Sequence, residues 1–145
     1  MQNGRILAID YGRARIGLAL SDPLKVLAKA YKTLQVGAKK PLNVLSEELK
    51  NLEKEGKHIE RIVVGIPLKM SGEKSDMTLE VEAFVRDLKT KTSIEVLSWD
   101  ERLSSVQAEK ALIEAGLSRK KRSEHVDSLS AVLILQSFLE NQSDF

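Results

Sequence analysis

The apolar positions of this chain change period several times, and each change marks an element. Arg5-Ile6-Leu7-Ala8-Ile9-Asp10 is a short apolar run ending in an acid, the pattern of a central strand. Ile16-Gly17-Leu18-Ala19-Leu20 alternates branched with small residues. Only Tyr11-Gly12-Arg13-Ala14-Arg15 separates the two runs, too short for a parallel crossover, so they form a hairpin. A third strand over 30–34, after the Ser21-Asp22-Pro23 turn, completes an antiparallel meander. From Pro41 the period becomes helical: Leu42, Leu45, Leu49 and Leu52 recur at spacings of three and four, and Gly56 stops the run. Residues 61–66 read as a buried parallel strand broken by Pro67, and 68–74 as a loop. Ser75 caps a second helix whose inward face is Met77, Val81, Phe84, Val85 and Leu88. A last strand covers 94–99. Ser104 and Gln107 form a capping box for a helix through Ala115, stopped by Gly116. Ser123 caps the final helix, with Val126, Leu129, Leu133 and Ile134 facing the core.

This order predicts an α/β fold: a mixed five-stranded sheet, made of a three-stranded antiparallel meander plus two parallel strands, flanked by helices. The 145 residues are expected to form one domain over 1–140, with a frayed tail at 141–145.

Composition narrows the chemistry. The absence of cysteine excludes disulfides, thiolate nucleophiles, iron–sulfur clusters and cysteine-containing zinc sites. His58 and His125 are too few for an all-histidine zinc site. No secretory h-region and no membrane-length apolar stretch occur, so the expected location is the cytoplasm, with no membrane partner. A net charge of +2 permits nucleic acid binding without requiring it. Scarce aromatics argue against an extended base-stacking platform, though one or two remain able to contact a base.

The acids fall at informative places. Asp10 ends the first strand, Asp100 and Glu101 end the last, and Asp127 lies in the first turn of the final helix. Parallel strands bring Asp10 and Asp100 to the same sheet edge, where ligand sites gather. Each acid alone is equally served by a turn or a helix N-terminus. Together, Asp10, Asp100 and Asp127 form an oxygen-only donor set suited to one or two Mg²⁺ or Mn²⁺ ions, the basis of phosphodiester hydrolysis. Glu101 is a further catalytic candidate. Gly12, Gly65 and Pro67 give a substrate backbone room to approach, against the plainer reading of tight turns and packing. Arg13, Arg15 and Arg102, each close in sequence to a candidate acid, and the run Arg119-Lys120-Lys121-Arg122 are phosphate-contact candidates. Ser104 and Ser105 sit in no nucleophile elbow and have no histidine placed beside them.

Four blocks in order carry a resemblance: Ile9-Asp10-Tyr11-Gly12 with Arg15-Ile16-Gly17-Leu18-Ala19; Val64-Gly65-Ile66-Pro67-Leu68 with Gly72; Trp99-Asp100-Glu101-Arg102-Leu103-Ser104-Ser105 with Ala108; and Val126-Asp127-Ser128-Leu129-Ser130-Ala131 with Ile134-Leu135-Gln136. Over nearly the whole chain this resembles the YqgF family, also called RuvX. The resemblance implies a ribonuclease H-like fold and metal-dependent nuclease activity on the 5′ end of precursor 16S rRNA. Its acids fall on Asp10, the Asp100-Glu101 pair and Asp127. An older assignment of the family, cleavage of four-way DNA junctions by a dimer, and a non-catalytic RNA-binding role in ribosome assembly are the alternatives. The expected partner is structured RNA or branched DNA, bound by a monomer or weak homodimer. In such a sheet the first strand neighbours the fourth, with the fifth beyond it, so Asp10 and Asp100 start roughly 9–10 Å apart. The fourth strand carries Gly65-Ile66-Pro67 where many nucleases of this fold have an acid.

Overall fold

The computed structural model describes residues 4–104 and 119–142, with 119–128 given as helix backbone. In chain order the elements are β1 (Arg5–Asp10), β2 (Arg15–Ser21), β3 (Ala28–Gln35), α1 (Pro41–Lys54), β4 (Ile59–Ile66), α2 (Asp76–Lys91), β5 (Glu95–Asp100), a 3-10 turn (Glu101–Leu103) and α3 (Arg119–Glu140). One sheet has the order β3-β2-β1-β4-β5. Its β1–β2 and β2–β3 pairs are antiparallel, and its β1–β4 and β4–β5 pairs are parallel. The mixed five-stranded α/β sheet expected from the sequence is the one observed.

Alternation along the central strands sorts the core into two layers. Leu7, Ile9, Ile16, Leu18, Ile62 and Val64 face α1 and α2, where they meet Leu45, Leu52, Val81 and Leu88. Ile6, Ala8, Ala19 and Val63 face α3 and pack on Ala131, Ile134, Leu135 and Phe138. Branched side chains fill the two-helix layer. The alanines on the other side let a single helix lie close to the sheet, each fully buried Leu or Ile contributing about 1.5–3 kcal/mol.

The ends of the elements follow local chemistry. Ser75 Oγ accepts the Thr78 N–H, and Thr78 Oγ1 accepts the Ser75 N–H, a reciprocal cap on α2. The buried Thr78 hydroxyl also donates to the Pro67 carbonyl, tying the end of β4 to the start of α2. In the β2–β3 connection, Asp22 Oδ1 accepts the N–H groups of Val26 and Leu27 at 2.7 and 2.8 Å, and Oδ2 accepts that of Leu24 at 3.2 Å. This loop is pinned by one side chain.

Two expectations differ from the structure. β3 and β4 each begin two residues before the expected start, through Ala28-Lys29 and Ile59-Glu60, where an apolar residue is followed by a charged one and the apolar run is broken. The final helix begins at Arg119, so Ser123 lies inside it and the basic run forms its first turn. The helix expected from Ser104 to Ala115 falls almost wholly outside the described residues. Ser104 itself caps the 3-10 turn, its Oγ donating to the Glu101 carbonyl at 2.9 Å. Among the described residues, no helix is long and apolar enough to cross a membrane.

Candidate active site

Strand register decides which side chains meet at the carboxyl edge of the sheet. Ala8 pairs with Ala19 across β1 and β2, and both belong to the α3 layer. Asp10 and its partner Gly17 therefore stand on the α3 face as well. On the other side of β1, Val63 pairs with Ala8, and one step further out Gly65 pairs with Trp99. Val63 and Trp99 also pack in the α3 layer, so Gly65 lies on that face. Asp10, only 4% exposed, is thus flanked by glycine positions on both neighbouring strands.

Glu101 and Ile134 share the hollow above Gly65. Glu101 opens the 3-10 turn after β5 and is 2% exposed. A Cβ built on Gly65 would lie 3.0 Å from Glu101 Oε2 and would overlap the Ile134 Cδ1 of α3. Ile134 and, beside it, the Glu101 carboxylate take up the space over position 65, on the strand next to that of Asp10. At its carboxyl edge β4 has Gly65-Ile66 in place of an acid, and the carboxylate beside Gly65 comes from the turn after β5. Asp10 and Glu101 are thus two buried carboxylates on the same face of the sheet edge, a placement that favours a cation beside them. No buried side-chain nitrogen or oxygen among the described residues lacks a hydrogen-bond partner.

The geometry separates Asp100 from this pair. Asp100 pairs with Ile66, which faces the α1–α2 layer, so it is on the other side of the sheet from Asp10. Its Oδ1 accepts the Arg102 N–H at 2.9 Å, capping the 3-10 turn, and Oδ2 meets Arg102 Nη2 at 2.8 Å. The guanidinium and backbone bonds hold the Asp100 carboxyl below the usual range. Sequence reasoning grouped Asp100 with Asp10 because both end strands; a one-residue step along a pleated strand reverses the face, so Glu101 joins Asp10 instead.

The other candidates divide. Arg15 begins β2 on the α3 face, two residues before Gly17, and so shares the face of Asp10. Arg13 is held by Glu80, with Nε and Nη2 both 2.7 Å from Oε1, while its side chain stays 68% exposed. Glu80 Oε2 accepts the Tyr11 hydroxyl at 2.6 Å. The Arg13 and Tyr11 bonds lower the Glu80 pKa, whereas burial and the Glu80 carboxylate push Tyr11 up to about 12. Arg102 reaches from Asp100 toward the Met70 carbonyl and lies against Gly72, latching the β4–α2 loop to the 3-10 turn. Gly12 is demanded by its turn, since a Cβ there would overlap the Arg15 carbonyl oxygen. Pro67 contributes its carbonyl to Thr78. Arg119, Lys120, Lys121 and Arg122 form the first turn of α3 and Asp127 lies farther along it, but their side chains fall outside the described residues.

Three supporting residues escaped the sequence reading. Glu80 lies on an outer helical position that reads as ordinary solvated charge. Thr78 was hidden by the apolar stripe around it, although the spacing of Ser75 and Thr78 is that of a reciprocal cap. Ser137 Oγ accepts the Trp99 Nε1–H at 3.0 Å and donates to the Leu103 carbonyl at 3.2 Å, joining α3 to the turn that carries Glu101. No sequence signal marked it.

Among the described residues no three His, Asp or Glu side chains cluster as a metal site. The comparisons with known proteins bear on this arrangement. The profile described as "RuvX: Holliday junction resolvase" matches residues 4–141. A protein of Syntrophomonas wolfei named "Putative pre-16S rRNA nuclease" is 44% identical over 140 residues, covering 96% of each chain. A protein of the same name from Clostridioides difficile is 43% identical over 141 residues, covering 97% of this chain and 96% of its own. Among solved structures, the Thermus thermophilus RuvC in complex with Holliday junction substrate superimposes with a TM-score of 0.54 at 15% identity, covering 97% of this chain and 96% of that one. That likeness identifies the fold as ribonuclease H-like.

Proposed function

The chain belongs to the RuvX Holliday junction resolvase family, a family of nucleases, and from that membership we propose that it cuts precursor 16S rRNA near its 5′ end at the sheet edge carrying Asp10 and Glu101. The observation that carries the reading is Glu101 Oε2 standing above the bare Gly65, on the strand beside the buried Asp10. A divalent cation held there would offset the like charge of those carboxylates. The donors are oxygen only, the set that suits Mg²⁺ or Mn²⁺. Asp10 and Glu101 would hold the ion, with Asp127 of α3 as the third acid; Asp100, committed to Arg102, is assigned to the turn. When bound, such an ion supplies water activation and neutralises charge on the phosphate.

The remaining work falls to this chain's own groups. Gly17, beside Asp10 on β2, is the bare position over which a phosphodiester backbone would pass, while Gly65 gives room to Ile134 and the Glu101 carboxylate. Arg15, on the same face, supplies a cation with bidentate geometry for phosphate. Trp99, held edge-on against Phe138 at 5.5 Å between ring centroids and bonded to Ser137, fixes the end of β5 from which Glu101 departs.

The test uses a 5′-labelled precursor 16S fragment, a single-stranded RNA and a four-way DNA junction, each with Mg²⁺ or Mn²⁺. Asp10→Asn and Glu101→Gln are expected to lower cleavage by about 10²–10³-fold, as loss of a group that stabilises transition-state charge does. Binding is expected to survive in both, and Asp100→Asn is expected to stay within a few fold of wild type. Cleavage of the junction alone would move the substrate to branched DNA. Binding without cleavage of any substrate would make the protein an assembly factor. Loss of activity in Asp100→Asn with Glu101→Gln active would overturn the acid assignment.

A further inference from the structure

Tyr11 follows Asp10 directly and, one residue on along the strand end, turns to the opposite face. There its ring packs on Phe84 of α2 with centroids 4.9 Å apart. Beside that pair, between the start of α1 and the outer face of α2, lies an open cavity of about 440 Å³, within the ~300–1,000 Å³ range of small-molecule sites. Leu42, Ala83, Phe84 and Tyr11 supply apolar and aromatic wall, while Asn43 and Asp87 place an amide and a carboxylate on its border. Two of the chain's few aromatic residues therefore meet at the sheet edge that carries the acid.

The mouth of the cavity has a built cation. Glu80 lines it, and its Oε1 fixes Arg13 through Nε and Nη2, while its Oε2 fixes the Tyr11 hydroxyl. A guanidinium has five N–H donors, and this grip uses two, leaving three for another acceptor. Lys40 and Lys91 balance Glu80 and Asp87 in the lining, and the exposed guanidinium edge of Arg13, gripped by Glu80 with Asp76 nearby, is the group that meets a phosphate.

We propose that this cavity receives an unpaired nucleobase of the substrate strand, stacked against Tyr11, with Arg13 holding the adjoining phosphate. The strand crosses the end of β1, with the phosphate to be cut at the Asp10–Glu101 face and the neighbouring nucleotide tipped over the edge into the α1–α2 side. Duplexed bases cannot make that turn. The site therefore selects unpaired positions and leaves identity to the Asn43 and Asp87 edge. Glu80 is a positioning residue, acting through Arg13 and Tyr11. The proposal takes its ligand class from the nuclease reading, but its test needs no cleavage.

The experiment is run in EDTA, so a failure of catalysis leaves it intact. Wild-type protein is bound to a twelve-nucleotide single-stranded RNA carrying 5-iodouracil, irradiated, and mapped by mass spectrometry; attachment at Tyr11 is expected. Attachment only elsewhere, or none, overturns the proposal. In parallel, Ala83→Trp and Arg13→Ala are compared by fluorescence anisotropy on the same-length RNA and on its base-free counterpart. Ala83→Trp is expected to weaken the base-bearing RNA about tenfold and the base-free strand less than twofold, while Arg13→Ala weakens both. Asn43→Tyr, at the cavity border rather than in the α2 packing, repeats the comparison should Ala83→Trp fold poorly. Equal loss on both strands in the filled-cavity variants overturns the proposal.

Discussion

Gly65→Ala tests whether the bare position on β4 exists to seat Glu101. The added methyl overlaps Ile134 Cδ1, lies 3.1 Å from Ile134 Cγ1 and 3.0 Å from Glu101 Oε2. Ile134 is fully buried against the sheet, so it yields only by disturbing its neighbours, at about 1–3 kcal/mol for an overpacked core. Reduced freedom of the unfolded chain returns about 0.4–1 kcal/mol, leaving a net loss of about 1–2 kcal/mol. Ile134→Val removes Cδ1 and by itself costs about 0.5–1.5 kcal/mol. In the double variant the main overlap is gone, so the two losses fall short of their sum by about 1 kcal/mol, read from urea midpoints at constant m. Activity behaves differently. The Glu101 contact remains in the double variant, so kcat stays down about 10–100-fold, the scale of a misplacement approaching 1 Å. Strict additivity of the stabilities, or recovery of kcat by Ile134→Val, would refute the reasoning.

Three further outcomes follow from the structure. In Tyr31→Phe, which leaves Tyr11 as the sole tyrosine, the 295 nm phenolate titration is expected near pH 12, moving toward 10 when Glu80→Gln is added. Because the folded pKa is the higher one, the stability this phenol contributes is complete below pH 10 and is lost as pH climbs through about 12; a midpoint at 10 in the folded protein would contradict the Tyr11–Glu80 bond. Ser137→Ala strands the Trp99 indole N–H and frees the Leu103 carbonyl, costing about 1–3 kcal/mol in urea unfolding, with altered tryptophan fluorescence; an unchanged midpoint and spectrum would count against it. Asp22→Ala is expected to speed amide exchange at Leu24, Val26 and Leu27. In the wild type the lowered Asp22 pKa makes that protection full above pH 4 and lost as pH falls through the folded value; exchange indifferent to both changes would remove the loop's anchor.

Much of the sheet was legible because the apolar runs are clean. β1 ends at Asp10 as its pattern predicts, and the leucine stripe of α1 starts at Pro41. The Ser75 cap needed only local chemistry. What pattern reading missed depends on register between distant strands. Whether position 100 or 101 shares a face with position 10 is decided by the pairing of Gly65 with Trp99 and of Ile9 with Val64, and neither pairing leaves a mark in its own segment. Arg13 and Arg102 were legible as cations beside acids. Asp100 stands beside Arg102 in sequence, but the Glu80 that grips Arg13 became visible only when α2 was folded against the strand ends. Ser137 does its work through two bonds spanning more than thirty residues each, beyond any local signal.

The dependence of Glu101 on α3 has a consequence for how the molecule comes into being. Ile134 crowds the hollow that holds the Glu101 carboxylate, and Ser137 grips the turn beneath it, yet both are synthesised after every strand of the sheet. A nascent chain that has already built its sheet has Asp10 in place before the helix that packs around Glu101 exists. On the proposed reading, cutting is thereby withheld until α3 has been made and has packed, a safeguard that needs no inhibitor.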